Sequence, residues 1–222
     1  RRHASRKTGL APGSLVHVGD VLVESTSISV IDYNKDTVRE TTVTSIDELQ
    51  SLRSADTVTW VIVEGLANVA VVEKIGEMFG IHQLVLEDIL NTHQRPKFEE
   101  YDDYLYIVLK GMIAVGEQFT VDYEQISLLV LDNVVFAFKE KKDDLFAPVI
   151  QRIRTSKGRF RSLGADFLTY SILDGIIDMN FVLIDSLDES ITVLEDQLLE
   201  GEPSKATLNS IQRLKREIVG VR

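Results

Sequence analysis

Apolar residues alternate or form short unbroken runs along the first part of the chain, and recur every three or four residues along the last part. The runs "SLVHV", "SISVIDY", "ETTVTS" and "TVTWVIVE" are rich in β-branched residues and predict strands. Between them, "SIDELQSL" places Ser45 three residues before Glu48, the capping-box spacing of a short helix. In "NVAVVEKIGEMFG", Val69, Val72, Ile75, Gly76 and Phe79 share one helical face, with Asn68 placed to cap and Gly80 to stop it. A second short helix is expected over 82–90. Beyond Pro96, "YLYIVLKGMIA", "FTVDYEQISLLVLD" and "VVFAFKE" predict an antiparallel meander, whose last hairpin turns at Asp132 and Asn133.

From Asp144 the pattern becomes helical. "DLFAPVIQRIRTSKGRFR" reads as a basic helix with its linker. The segment "ADFLTYSILDGIIDMNFVLIDSLDESITVLEDQLLE" is periodic and long enough to extend past a compact core. After "GEPS", Ser204 can cap a further helix whose apolar face carries Leu208, Ile211, Leu214, Ile218 and Val221. The expected fold is α/β: a mixed, largely antiparallel sheet sandwiched between helices, followed by long acidic C-terminal helices. The sandwich is assigned to 1–160 and the helical hairpin to 161–222. The last helix has no stop signal at Arg222, so its pattern is expected to continue in a longer protein. The apolar run "ISLLVLDNVVFAF" is broken by Asp132 and Asn133 and falls short of the roughly 20 residues of a spanning helix. A soluble chain is therefore expected.

Charge narrows the choice of partner. Acids outnumber Lys plus Arg by 35 to 24, a formal charge of -11, which repels nucleic acid and anionic membrane surfaces and favours cations. The chain has no cysteine, so disulfides, thiolate metal sites and thiol catalysis are excluded. It has no GxSxG elbow, phosphate-binding GxxxxGK[ST] loop or GxGxxG turn, and no enzymatic activity is expected. Between Arg161 and Lys205 stand ten Asp or Glu and no Lys or Arg. Asp174, Asp178, Asp185, Glu189 and Asp196 follow at spacings of four and seven, which keeps them on one helix face. A solvated face normally mixes its signs. Carboxylates with few His and no Cys suit hard divalent ions such as Mg2+ or Ca2+. The adjacent acids Glu87 and Asp88, at the apolar end of the second short helix, repel each other unless solvated or neutralised.

The segment "FGIHQLVLEDILNTHQRPKFEEYDDYLYIVLK", residues 79–110, resembles the cytoplasmic domain of the CorA magnesium transporter family. The likeness extends through "GLAPGSLV", "EQISLLV", "DLFAPVIQRIR" and "YSILDGIIDMNF". It implies the soluble part of an integral membrane homopentamer, lying on the cytoplasmic face of the cell membrane. The stalk, two membrane helices and a Gly-Met-Asn signature would follow Arg222. It further implies a regulatory domain in which Mg2+ bound between subunits favours the closed state of a Mg2+ channel. Co2+ would be a second transported ion, and Co2+ or Ca2+ further occupants of the regulatory sites. The acid matching Asp88 would face an Asp on the neighbouring subunit's stalk across the ion. Those matching Glu87 and Asp174 would serve a second site, near the Leu10 carbonyl and His93, with Asp178 one turn on as a further candidate ligand. Without the stalk, a monomer or weak oligomer is expected. The competing readings are a zinc-transporting relative, a metal-dependent hydrolase whose cleft gathers Asp88 and Asp174, and an oligomerisation module whose acids are only solvated.

Overall fold

The computed structural model describes residues 14–18, 25–54, 56–115, 120–155, 160–199, 209–212 and 214–215. Its strands are β1 (Ser27–Tyr33), β2 (Val38–Thr42), β3 (Val58–Glu64), β4 (Lys97–Glu100), β5 (Leu105–Val115), β6 (Thr120–Val130) and β7 (Val134–Lys139). They form one open sheet in the order β2-β1-β3-β7-β6-β5-β4. β3 and β7 run parallel, while β1–β2, β1–β3, β4–β5 and β6–β7 are antiparallel. The sheet is thus mixed and largely antiparallel, as the pattern predicts.

Both faces of the central strands β3 and β7 are buried, which is why "TVTWVIVE" and "VVFAFK" lack polar alternation. Val61, Val63, Phe136 and Phe138 join a core with α1 (Val69–Phe79), α2 (Gln83–Leu90) and Leu49 of a 3₁₀ helix, Ile46–Ser54. On the opposite face Trp60 meets Phe146 edge-on, with ring centroids 5.1 Å apart. The ring of Tyr33 lies 6.3 Å from Phe160, which in turn packs on Phe167. Phe146 precedes α3 (Ala147–Thr155), and Phe167 opens α4 (Ala165–Leu199).

Local signals explain the helix ends. Gly80 adopts φ 69°, a left-handed conformation that suits glycine, and ends α1. A methyl group at Gly76 would run into Leu86, so this glycine permits the close packing of α1 on α2. Asn68 does not cap α1 through its side chain. His82 does cap α2, its Nδ1 accepting the Leu84 N–H at 3.2 Å. The expected helix at Ser45 is a 3₁₀ helix, with Glu48 Oε1 accepting the Ser45 N–H at 2.8 Å. "SLVHV" forms no strand; Val18 makes an isolated bridge to Asn91. Its backbone bonds to Leu90 and Thr92 tie residues 14–18 to the end of α2.

Two compact units result. One reaches Lys110 and resumes over Glu124–Gly175; the other takes Gly111–Tyr123 and the chain from Ile176 onward. In the second unit Leu183, Leu187, Leu194, Val121 and Leu214 form an apolar cluster, with Ile211 against it. Ser204, Leu208, Ile218 and Val221 lie outside the described residues. The 35 residues of α4 rise about 1.5 Å each, or roughly 50 Å in all. Over Ala165–Asp196 this helix is long and apolar enough to cross a membrane by length and composition, although the sequence reading expects no spanning segment. A third of its most apolar window is buried within the fold, where Leu168, Ile172 and Ile176 supply core contacts.

A charged side chain lies deep inside the first unit. Lys139 is fully buried, with Nζ 2.6 Å from Asp143 Oδ1 and 3.2 Å from Glu64 Oε1. Buried Glu124 accepts the Lys141 N–H at 2.6 Å. Burial pushes the Glu124 carboxyl up to about 8; the Lys141 N–H works against this and the Asp143 charge adds to it. Burial raises Asp143 too, but its hydrogen bond from Lys139 and further bonds outweigh that and hold it below the ordinary range.

Candidate functional site

The acids singled out in the sequence sit at the end of α2. Val85, Leu86, Ile89 and Leu90 turn inward, which leaves Glu87 and Asp88 half-buried on the other side of the helix. Both occupy the last turn, where the helix dipole is negative and carboxylates are unfavourable without a positive partner.

The chain supplies that partner itself. Pro96 ends the segment after α2, and β4 returns Lys97 to the carboxylate, with Nζ 2.6 Å from Asp88 Oδ2. The same ammonium donates to Glu99 Oε1 at 2.8 Å and lies 5.1 Å from the centre of the Tyr106 ring. Gln94 Nε2 donates to Asp88 Oδ1 at 2.6 Å, so both carboxylate oxygens are engaged. Gln125 of β6 accepts the Gln94 N–H at 2.8 Å and donates to the Asp88 carbonyl at 3.3 Å, fixing loop and helix end together. Burial pulls Lys97 down, but its hydrogen bonds to Asp88 and Glu99 outweigh it and hold the ammonium above its ordinary value. Lys97 in turn lowers Glu99.

The remaining candidates are dispersed. Asp174 is half-buried on α4 and accepts a bond from Tyr170 Oη at 3.4 Å. Asp178, one turn later in the second unit, is exposed. The side chain of His93 is exposed, and its backbone N–H donates to Asn91 Oδ1 at 3.4 Å. Leu10 lies outside the described residues. Among the described residues no three His, Cys, Asp or Glu are grouped to hold a metal ion. Any ion at Asp88 would keep much of its water or draw ligands from elsewhere, which suits Mg2+, an ion that gives up water reluctantly. The close approach of an ammonium shows that this carboxylate accepts a cation at contact distance. An open cleft of about 650 Å³ is lined by Glu100, Tyr101, Asp102, Asp103, Asp132 and Asp166 among others, and includes neither Asp88 nor Asp174. A hydrolase that gathers those two acids would need a different cleft.

Lys97, Gln94 and Gln125 are the site residues that the sequence reading missed. The run "HQRPK" does carry a cation close in sequence to the two acids, but nothing in it shows that β4 folds back onto the end of α2.

A family model described as CorA-like Mg2+ transporter protein matches residues 55–222. The chain belongs to this family. Over 221 residues, all of this chain and 62% of the relative, it is 41% identical to the cobalt/magnesium transport protein CorA of Thermotoga maritima. The chain therefore spans less than two thirds of that CorA protein. The soluble domain of CorA from Methanocaldococcus jannaschii superposes with a TM-score of 0.64 at 20% identity, over 86% of this chain and 72% of that one. The ZntB cytoplasmic domain from Vibrio parahaemolyticus gives 0.61 at 16% identity, over 87% and 73%. These two likenesses establish the shared CorA-type soluble-domain fold. CorA is a transporter family, in keeping with the lack of enzyme motifs.

Proposed function

We propose that this chain is the cytoplasmic cation-sensing domain of a CorA-type channel for Mg2+ and Co2+, with Asp88 as the principal ligand of a regulatory Mg2+. The observation that carries this reading is the Asp88 carboxylate in the last turn of α2, half-exposed and already drawing a cation to 2.6 Å. Glu87 and Asp174 serve a second Mg2+ position, together with His93, Asp178 and the Leu10 carbonyl. Co2+ and Ca2+ compete for the same oxygen ligands.

The full protein is a homopentamer anchored in the membrane by segments outside this chain, and the ion binds between subunits. Bound Mg2+ screens facing acids and favours the closed arrangement; when Mg2+ falls, their repulsion shifts the population toward the open one.

A ligand that binds only the folded state stabilises it by about 2.7 kcal/mol at a hundredfold excess over its dissociation constant. Thermal unfolding of the full-length protein across a MgCl2 titration is therefore expected to show stabilisation of that order in the parent. Asp88→Asn should remove most of it. Equal stabilisation of the two proteins would show that Asp88 is not the ligand.

A further inference from the structure

We propose that Lys97 is a built-in competitor for the cation site at Asp88, and that it sets the Mg2+ concentration to which the sensor responds. The inference rests on reading Asp88 as a metal ligand. Lys97 Nζ occupies Oδ2 at 2.6 Å while Gln94 holds Oδ1, so an incoming ion meets a carboxylate with both oxygens taken. Binding at Oδ2, directly or through the ion's water, must displace the ammonium, since two positive centres cannot share one carboxylate without repulsion.

The displaced ammonium has a place to go. Glu99 Oε1 holds Nζ at 2.8 Å, and the face of Tyr106 lies beneath it, so Lys97 can shift its pairing along β4 without becoming an unpaired charge. Glu99 is fixed by the Tyr101 hydroxyl at 3.1 Å and so offers a stationary alternative. The pair resembles a tethered ion that always fills the site when Mg2+ is scarce. Its local concentration is fixed by the fold, and free Mg2+ must exceed a threshold before it prevails. Without Lys97, Asp88 would bind Mg2+ at lower concentrations and the sensor would be saturated over more of the cell's range.

The test is the half-saturating MgCl2 concentration of the full-length protein, read by titration calorimetry and by thermal shift. Lys97→Met is expected to lower it about five- to tenfold, the amount by which a half-buried charged hydrogen bond ordinarily holds its partner. Lys97→Gln, which keeps a donor without the charge, should move it the same way. It serves as the second variant if the methionine protein does not fold. Lys74→Met removes an equal charge at an exposed position paired with Asp47 at 3.7 Å, and should stay within about twofold of the parent. If Asp88→Asn abolishes binding while neither Lys97 variant binds more tightly, the competitor role is overturned and the ligand role of Asp88 stands. If the Lys74 variant tightens binding as much as the Lys97 variants, net charge is the cause and the competitor role fails. If the parent shows no Mg2+ binding at all, both readings fall together.

Discussion

Replacing Lys139 with Met is expected to destabilise the protein by about 3–5 kcal/mol, the usual result of removing one partner from a buried ion pair. The side chain is fully buried, and its ammonium bonds both the carboxylate and the carbonyl of Asp143 and pairs with Glu64. Methionine fills similar volume, so little of the loss comes from a cavity. It comes from leaving Glu64 and Asp143 facing each other with no cation between them. Those two side chains are 22% and 23% exposed, so water relieves part of the repulsion and the lower end of the range is favoured. Urea unfolding of the parent and Lys139→Met measures the difference. A loss below about 1 kcal/mol would mean that the network is solvated in solution.

Glu124→Gln should have the opposite effect above neutral pH. In the folded protein Glu124 titrates near 8, well above its ordinary 4.5, so folding takes up a proton between these values. Its contribution to stability is full below about 4.5 and is lost as pH rises toward and through about 8. Glutamine keeps a donor where the protonated acid had one and has no charge to expose. The variant should match the parent at roughly pH 5 and exceed it by about 4 kcal/mol at roughly pH 9. Asp143 is shifted the other way, so its linkage acts at acid pH, outside this window. Parallel stability curves for the two proteins between those pH values would show that Glu124 is ionised throughout.

The central strands β3 and β7 were legible in the sequence because strands buried on both faces announce themselves as unbroken apolar runs, whereas the exposed edge strand β4, Lys97–Glu100, was not. The helices α1 and α4 were legible through their periodicity, and the turn at Asp132 and Asn133 through its residue types. Other elements were not. "SLVHV" has strand character, but it reaches the fold only through backbone bonds around Asn91, a pairing far away in the chain. α4 passes as a spanning helix by length and composition alone, and its acids, one every turn or two, stand between the apolar residues. At the site, Glu87 and Asp88 stood out as adjacent acids, yet the cation that pairs with Asp88 did not. Lys97 reads as an ordinary strand residue until β4 is seen to fold back against the end of α2. Buried Lys139 was equally hidden, since "FAFKE" gives no sign that its partners come from β3 and from the loop after β7.

The most direct test of the sensing role is ion flux through the full-length protein in liposomes, with MgCl2 varied on the side that carries this domain. Flux in the parent is expected to shut down as Mg2+ rises on that side, and flux through the Asp88→Asn protein to persist at concentrations that close the parent. Identical closure curves for the two proteins would contradict the assignment of the sensor to the end of α2.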